Sequence, residues 1–246
     1  MKNKQLRNYL ITTFSITWIS WWLLATLTSN NILPFTHPIA TIIFTIGGFG
    51  PTVAALAVLP KKLTRNSVCE FIFSYRKNTI GYLFLFSALW ILVVGISSLE
   101  TNPALPWFAL PIVLAMTTFI GGGNEELGWR GIMQPILESK LPFFSATLIT
   151  GCVWAVWHLP LWFIVGSTQS TMSFVAFSVL AVLLSFWLAA LYKKTKSVFV
   201  CCVFHGLSNL LLSFFIIKIN WILIVGLLSV TVLAVLVWNN TKTKST

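Results

Sequence analysis

Apolar residues run along this chain in blocks of about twenty, separated by short stretches that carry the Lys, Asn and Pro residues. A helix needs roughly 20 such residues to cross a bilayer. The blocks predict helices at about 8–28, 39–59, 79–99, 107–129, 146–166, 173–192, 197–216 and 221–238. The expected fold class is therefore all-α, a polytopic membrane bundle of about eight transmembrane helices. One stretch, 131–145, reads GIMQPILESKLPFFS and does not fit a span. Its Ile132, Met133, Ile136, Leu137 and Leu141 fall to one side of a helix, with Gln134, Glu138 and Lys140 on the other. That pattern predicts a short helix lying in the cytoplasmic interface. With no Gly/Ser linker, low-complexity tract or clear repeat, residues 1–246 read as a single integral-membrane domain.

Composition sharpens this picture. The chain has 246 residues, 57% hydrophobic and 9% charged; a soluble domain carries about 25% charged residues, so that class is excluded. There is no Asp, which removes an aspartyl dyad or a Ser-His-Asp triad. The net charge of +11 is explained by retention of Lys and Arg in cytoplasmic loops rather than by a nucleic-acid partner. Lys2, Lys4, Arg7, Lys61, Lys62, Arg65, Arg76, Lys77, Arg130, Lys140, Lys193, Lys194, Lys196, Lys242 and Lys244 fall on one side of the span map, and only Lys218 on the other. This places both termini in the cytoplasm of a multi-pass cell-membrane protein, with the basic N-terminus leading into a retained first helix. Cys69, Cys152, Cys201 and Cys202 have no metal-binding spacing and read as small packing residues.

Ionisable groups inside spans cost ~2.5–3.5 kcal/mol each, so their positions carry information. Three clusters occur between residues 121 and 210: Glu125, Glu126 and Arg130 after Gly121-Gly122-Gly123; Trp154 with His158; and His205 with Asn209. Each of the pairs Glu126/Arg130, Trp154/His158 and His205/Asn209 is spaced i, i+4 and shares a helical face. Glu126 and Arg130 can form an ion pair, whereas Glu125 faces about 100° away. Trp154 reads as pocket wall. His37 sits in an outer loop beside Pro38 and has no comparable pattern. Convergence of the clusters requires His158 to lie shallow, which a fifth helix starting near Ala146 would allow.

A carboxylate in apolar surroundings can act as general base on water, and a neighbouring imidazole can share the proton and return it to a leaving amine. A second imidazole with an amide N–H can hold an oxyanion. This inventory suits hydrolysis of an amide. No HExxH motif is present, and no histidine follows Ser208 to activate it. A zinc ion held by Glu and the two His from separate helices is the alternative chemistry.

The three clusters resemble the signature of the CPBP family of intramembrane proteases, also called the CAAX-protease and bacteriocin-processing, or Abi, family. Its EExxxR stands here as Glu125-Glu126-Leu127-Gly128-Trp129-Arg130. Its FxxxH stands as Trp154-Ala155-Val156-Trp157-His158, with Trp replacing Phe, and its HxxxN as His205-Gly206-Leu207-Ser208-Asn209. The resemblance implies that Glu125 activates water together with His158, that His205 and Asn209 stabilise the oxyanion, and that Glu126 and Arg130 are accessory. It implies an endopeptidase acting on a membrane-associated peptide or protein at the lipid bilayer, with bacteriocin self-immunity or peptide processing as its setting. No cofactor is favoured, although the family also bears a metalloprotease label. The rival readings are a non-enzymatic membrane immunity or regulatory protein and, less well supported, a transporter.

Overall fold

In the computed structural model, which describes residues 2–59 and 64–239, the first apolar block forms α1 (Lys2–Ser29). Its buried positions, Tyr9, Thr13, Thr17, Trp21, Leu24, Ala25 and Thr28, recur every three or four residues and so make one stripe. Ile19, on another face, is 71% exposed. Threonine inside and isoleucine outside reverses the order of a soluble helix. The outer face suits hydrocarbon, while the inner polar groups bond to backbone: Thr17 Oγ1 donates to the Gly47 carbonyl at 2.7 Å and Trp21 Nε1 to that of Phe44 at 2.9 Å.

The second block forms two helices, α2 (Pro38–Gly48) and α3 (Gly50–Val58), because each has a proline in its first turn and the chain resets at Phe49. His37 has a structural task here: its Nδ1 accepts the Ile39 N–H and caps α2. Next come α4 (Arg65–Phe73), α5 (Thr79–Ser97) and, after a 3₁₀ turn, α6 (Leu110–Phe119). Beyond a glycine break lie α7 (Glu126–Gly128), a π turn over Trp129–Met133 and α8 (Gln134–Glu138). The chain closes with α9 (Phe143–Trp157), a 3₁₀ turn at Leu159–Phe163, α10 (Phe174–Thr195), α11 (Val198–Phe214) and α12 (Trp221–Asn239). Among the described residues seven runs are long and apolar enough to span a membrane, and the 17-residue α11 is the shorter eighth. The described residues form no strand, only an isolated bridge between Thr101 and Phe215. The fold is an all-α polytopic membrane bundle, as the apolar blocks predict.

Contacts divide the chain into two compact units, each drawn from both halves of the sequence: Met1–Lys62 with Leu127–Ser185, and Leu63–Glu126 with Phe186–Thr246. In the first, α1 packs on α2, α3 and the 3₁₀ turn after α9. One end of this unit joins Gln5 to the Val58 carbonyl and Lys140 to Asn3. The other end joins the Val165 N–H to Thr28. In the second unit α11 packs on α4, α5 and α6, and α12 on α5.

Several local expectations are corrected. The fourth span is not one regular helix, since its three glycines end α6 and a π turn follows. Gln134, expected on a polar face, is buried, and its Nε2 donates to Glu138 Oε1 and Thr147 Oγ1 at 2.9 Å each. The wider winding of the π turn changes the register of the residues that follow it. Helix α9 begins at Phe143, three residues before the predicted Ala146. Arg130, counted among the loop charges, is wholly buried. Cys152 and Cys69 are exposed rather than packed. Lys61, Lys62, Lys242 and Lys244 lie outside the described residues.

Candidate active site

In the second unit, α6 and α11 approach closely because Gly206 has no side chain. A Cβ on Gly206 would lie 2.4 Å from Thr118 Oγ1 and 2.7 Å from its backbone nitrogen. The hydroxyl of Thr117 donates to the Gly206 carbonyl at 2.9 Å. After α6 the chain turns at Gly122, whose φ of +123° is in the region that favours glycine. A Cβ at Gly122 would fall 2.3 Å from Asn209 Nδ2 and 3.1 Å from His205 Nε2. The turn then tightens into a 3₁₀ segment, Gly123–Glu125, from which α7 starts at Glu126. Thus the glycines that read as a place for distortion carry the backbone against the α11 side chains.

This turn arranges the polar groups. Asn124 Oδ1 accepts the Gly122 N–H at 3.3 Å. Asn209 Nδ2 donates to the Gly121 carbonyl at 2.8 Å, so one of its two N–H groups clamps the loop. His205 Nδ1 lies 2.8 Å from Glu126 Oε1. His205 Nε2 is the nitrogen turned toward Gly122. His205 and Glu126 are 2% and 0% exposed, and Glu125 is 5% exposed. The His205–Glu126 contact is a link that helical spacing alone does not reveal, since the two residues are 79 apart in sequence.

In the first unit, His158 forms the C-cap of α9, its Nδ1 2.9 Å from the Trp154 carbonyl. A carbonyl only accepts, so Nδ1–H is the donor in this bond. Rings of Trp157, Phe177, Trp154 and Trp21 surround the imidazole at 4.5, 5.0, 5.6 and 6.2 Å between centroids. The i, i+4 pairing of Trp154 with His158 is therefore present, and Trp157, Phe177 and Trp21 are wall residues that the sequence pattern does not single out. Arg130 lies 5.2 Å over the Trp154 ring, and its Nη2 donates to Ser185 Oγ at 2.8 Å. Ser185 had no signal beyond being a polar residue within a span.

Among the described residues no group of three or more His, Cys, Asp or Glu side chains is placed to hold a metal ion.

Comparison with known proteins adds sequence relationships to this geometry. Residues 105–211 match the family model described as Type II CAAX prenyl endopeptidase Rce1-like. That segment contains the glycine turn, both glutamates, Arg130, His158, His205 and Asn209. The chain is also 24% identical over 227 residues, 82% of each chain, to a protein named CAAX prenyl protease 2 from Methanococcus maripaludis.

Proposed function

From the match of residues 105–211 to the Rce1-like CAAX endopeptidase family model, we propose that this protein hydrolyses a peptide bond of a membrane-associated substrate with water activated by Glu125. Glu125 takes a proton from water as the oxygen attacks the scissile carbonyl. The resulting oxyanion accepts hydrogen bonds from His205 Nε2–H and the second N–H of Asn209. In the imidazolium form both His205 nitrogens donate, Nδ1 to Glu126 and Nε2 to the oxyanion, so Glu126 serves as an orienting counter-charge. Collapse of the intermediate breaks the C–N bond, and the proton taken from water passes to the leaving amine. His158 is assigned the sharing of that proton by its place in the motif, and its fixed Nδ1–H suits Nε2 to the task.

The observation that carries this reading is the buried His205–Glu126 pair at 2.8 Å, set against the glycine turn that presents Glu125. No step requires a metal. Both termini are proposed to be cytoplasmic, which would direct the Lys-rich ends toward substrates on that side. The name of the Methanococcus protein suggests a prenylated C-terminus as one substrate class. Purified protein in detergent, incubated with a farnesylated CAAX peptide and with an unmodified membrane-helix peptide, is expected to cut at least one, with fragments read by mass spectrometry. Failure to cut either substrate would favour the partner-binding immunity or regulatory role.

A further inference from the structure

We infer that Asn124 is a positioning residue for Glu125, acting through the peptide that joins Gly121 to Gly122. The inference rests on the reading of Glu125 as the group that activates water. Asn124 stands one residue before Glu125 and belongs to none of the three sequence clusters. Its side chain is nonetheless buried in the glycine turn, at 6% exposure.

The carbonyl of Gly121 and the N–H of Gly122 belong to one planar peptide unit. Its oxygen accepts from Asn209 Nδ2 at 2.8 Å, and its N–H donates to Asn124 Oδ1 at 3.3 Å. Two side-chain amides, one from α11 and one from the turn itself, therefore hold the plane at both ends. With the plane held, the φ of +123° at Gly122 sets the direction in which the chain leaves it. The Gly122 carbonyl then accepts the Glu125 N–H at 3.0 Å and closes the 3₁₀ turn. Orientation passes from the Asn124 side chain to Gly122, and from Gly122 to the backbone of Glu125.

Packing secures the neighbouring position instead. A Cβ on Gly123 would lie 2.4 Å from the Thr118 carbonyl oxygen and 2.5 Å from that of Cys202, so the backbone there is wedged. Gly121 is exposed, and a Cβ on it would come no closer than 3.4 Å to Thr117 Cα. A plane between two glycines has no Cβ on either side to resist rotation. Hydrogen bonds at its two ends must oppose that rotation. Of the two residues that make them, Asn209 also faces the oxyanion in the proposed reaction, whereas Asn124 lies within the turn. A displacement of about 1 Å at a reacting group can cost roughly 10²-fold in rate, so release of the plane should be read in kcat.

Hydrogen exchange and turnover of the full chain in detergent test this together. In Asn124→Ala the amides of Gly122 and Glu125 should exchange about tenfold faster, with α11 unchanged. Asn124→Asp, which keeps an acceptor oxygen in the same place, should retain the wild-type exchange. On a peptide that the wild type cuts, Asn124→Ala should lower kcat about 10²-fold and leave KM within about twofold. Unchanged exchange, or a uniform rise over α6 and α11, would overturn the assignment, as would raised exchange with unchanged kcat. If the wild type cuts no peptide, the peptidase reading falls and the positioning role with it, while exchange still decides whether Asn124 holds the plane. Should Asn124→Ala fail to fold, Asn124→Leu, similar in size and without an acceptor, takes its place with the same expected outcomes.

Discussion

At the scale of single residues, the account rests on what each polar side chain can donate or accept. Glu126→Gln keeps the size of the side chain but removes the charge that holds His205. We expect turnover to fall about 10²-fold, as for loss of a preorganised oxyanion donor, with thermal stability in detergent nearly unchanged. Full activity would mean that the pair is only structural. Gly122→Ala must adopt φ +123° and place a methyl against Asn209 and His205; it should cost about 1–3 kcal/mol and abolish turnover in the fraction that folds. Prolonged chelation should leave activity intact. Zinc bound at about one per chain, and lost together with activity, would instead favour the metalloprotease chemistry. Glu125, Glu126 and His205 stand out in the sequence because few ionisable groups occur inside the spans, and Asn209 because it follows His205 by one helical turn. The bond between Glu126 and His205 was not, since i, i+4 spacing reports neighbours on one helix and says nothing of a residue on another. A positive φ at Gly122 is likewise a property of the turn, and three glycines in a row do not reveal which one adopts it.

At the scale of elements, small residues and buried polar groups determine how the helices meet. Gly206→Leu would drive a side chain into Thr118, so α6 and α11 must separate. Overpacking of this kind typically costs about 1–3 kcal/mol, and the loss should appear as a lower melting temperature in detergent. Arg130→Ala empties a wholly buried position over the Trp154 ring and removes the donor to Ser185. Folded yield should fall, whereas Arg130→Lys should recover only part of it because an ammonium lacks the planar fork. Apolar block length located nearly every helix, since a helix that spans hydrocarbon must be long and apolar. It failed at Phe49, at the glycine turn and at the π turn, where proline placement and close helix approach override a regular 3.6-residue period. Gln134 shows the consequence: a periodicity carried through a π turn assigns it to the wrong face.

At the scale of the whole molecule, the sorting of Lys and Arg predicts both termini in the cytoplasm. Reporter fusions at Asn31, Asn102 and Thr168 should report outside, and those at Asn66 and Thr195 inside; an active cytoplasmic reporter at Asn102 would overturn the topology. The division into two interleaved units was not legible, because it depends on long-range packing that no local pattern records. The chemistry proposed for this molecule is peptide hydrolysis by a glutamate-activated water. Its most direct test is the turnover of a membrane peptide by purified wild type and by Glu125→Gln, compared at equal amounts of folded protein. The account predicts cleavage by the wild type and none by Glu125→Gln, whose amide cannot take the proton from water, with both proteins melting at similar temperatures. Substantial cleavage by a folded Glu125→Gln protein would contradict it.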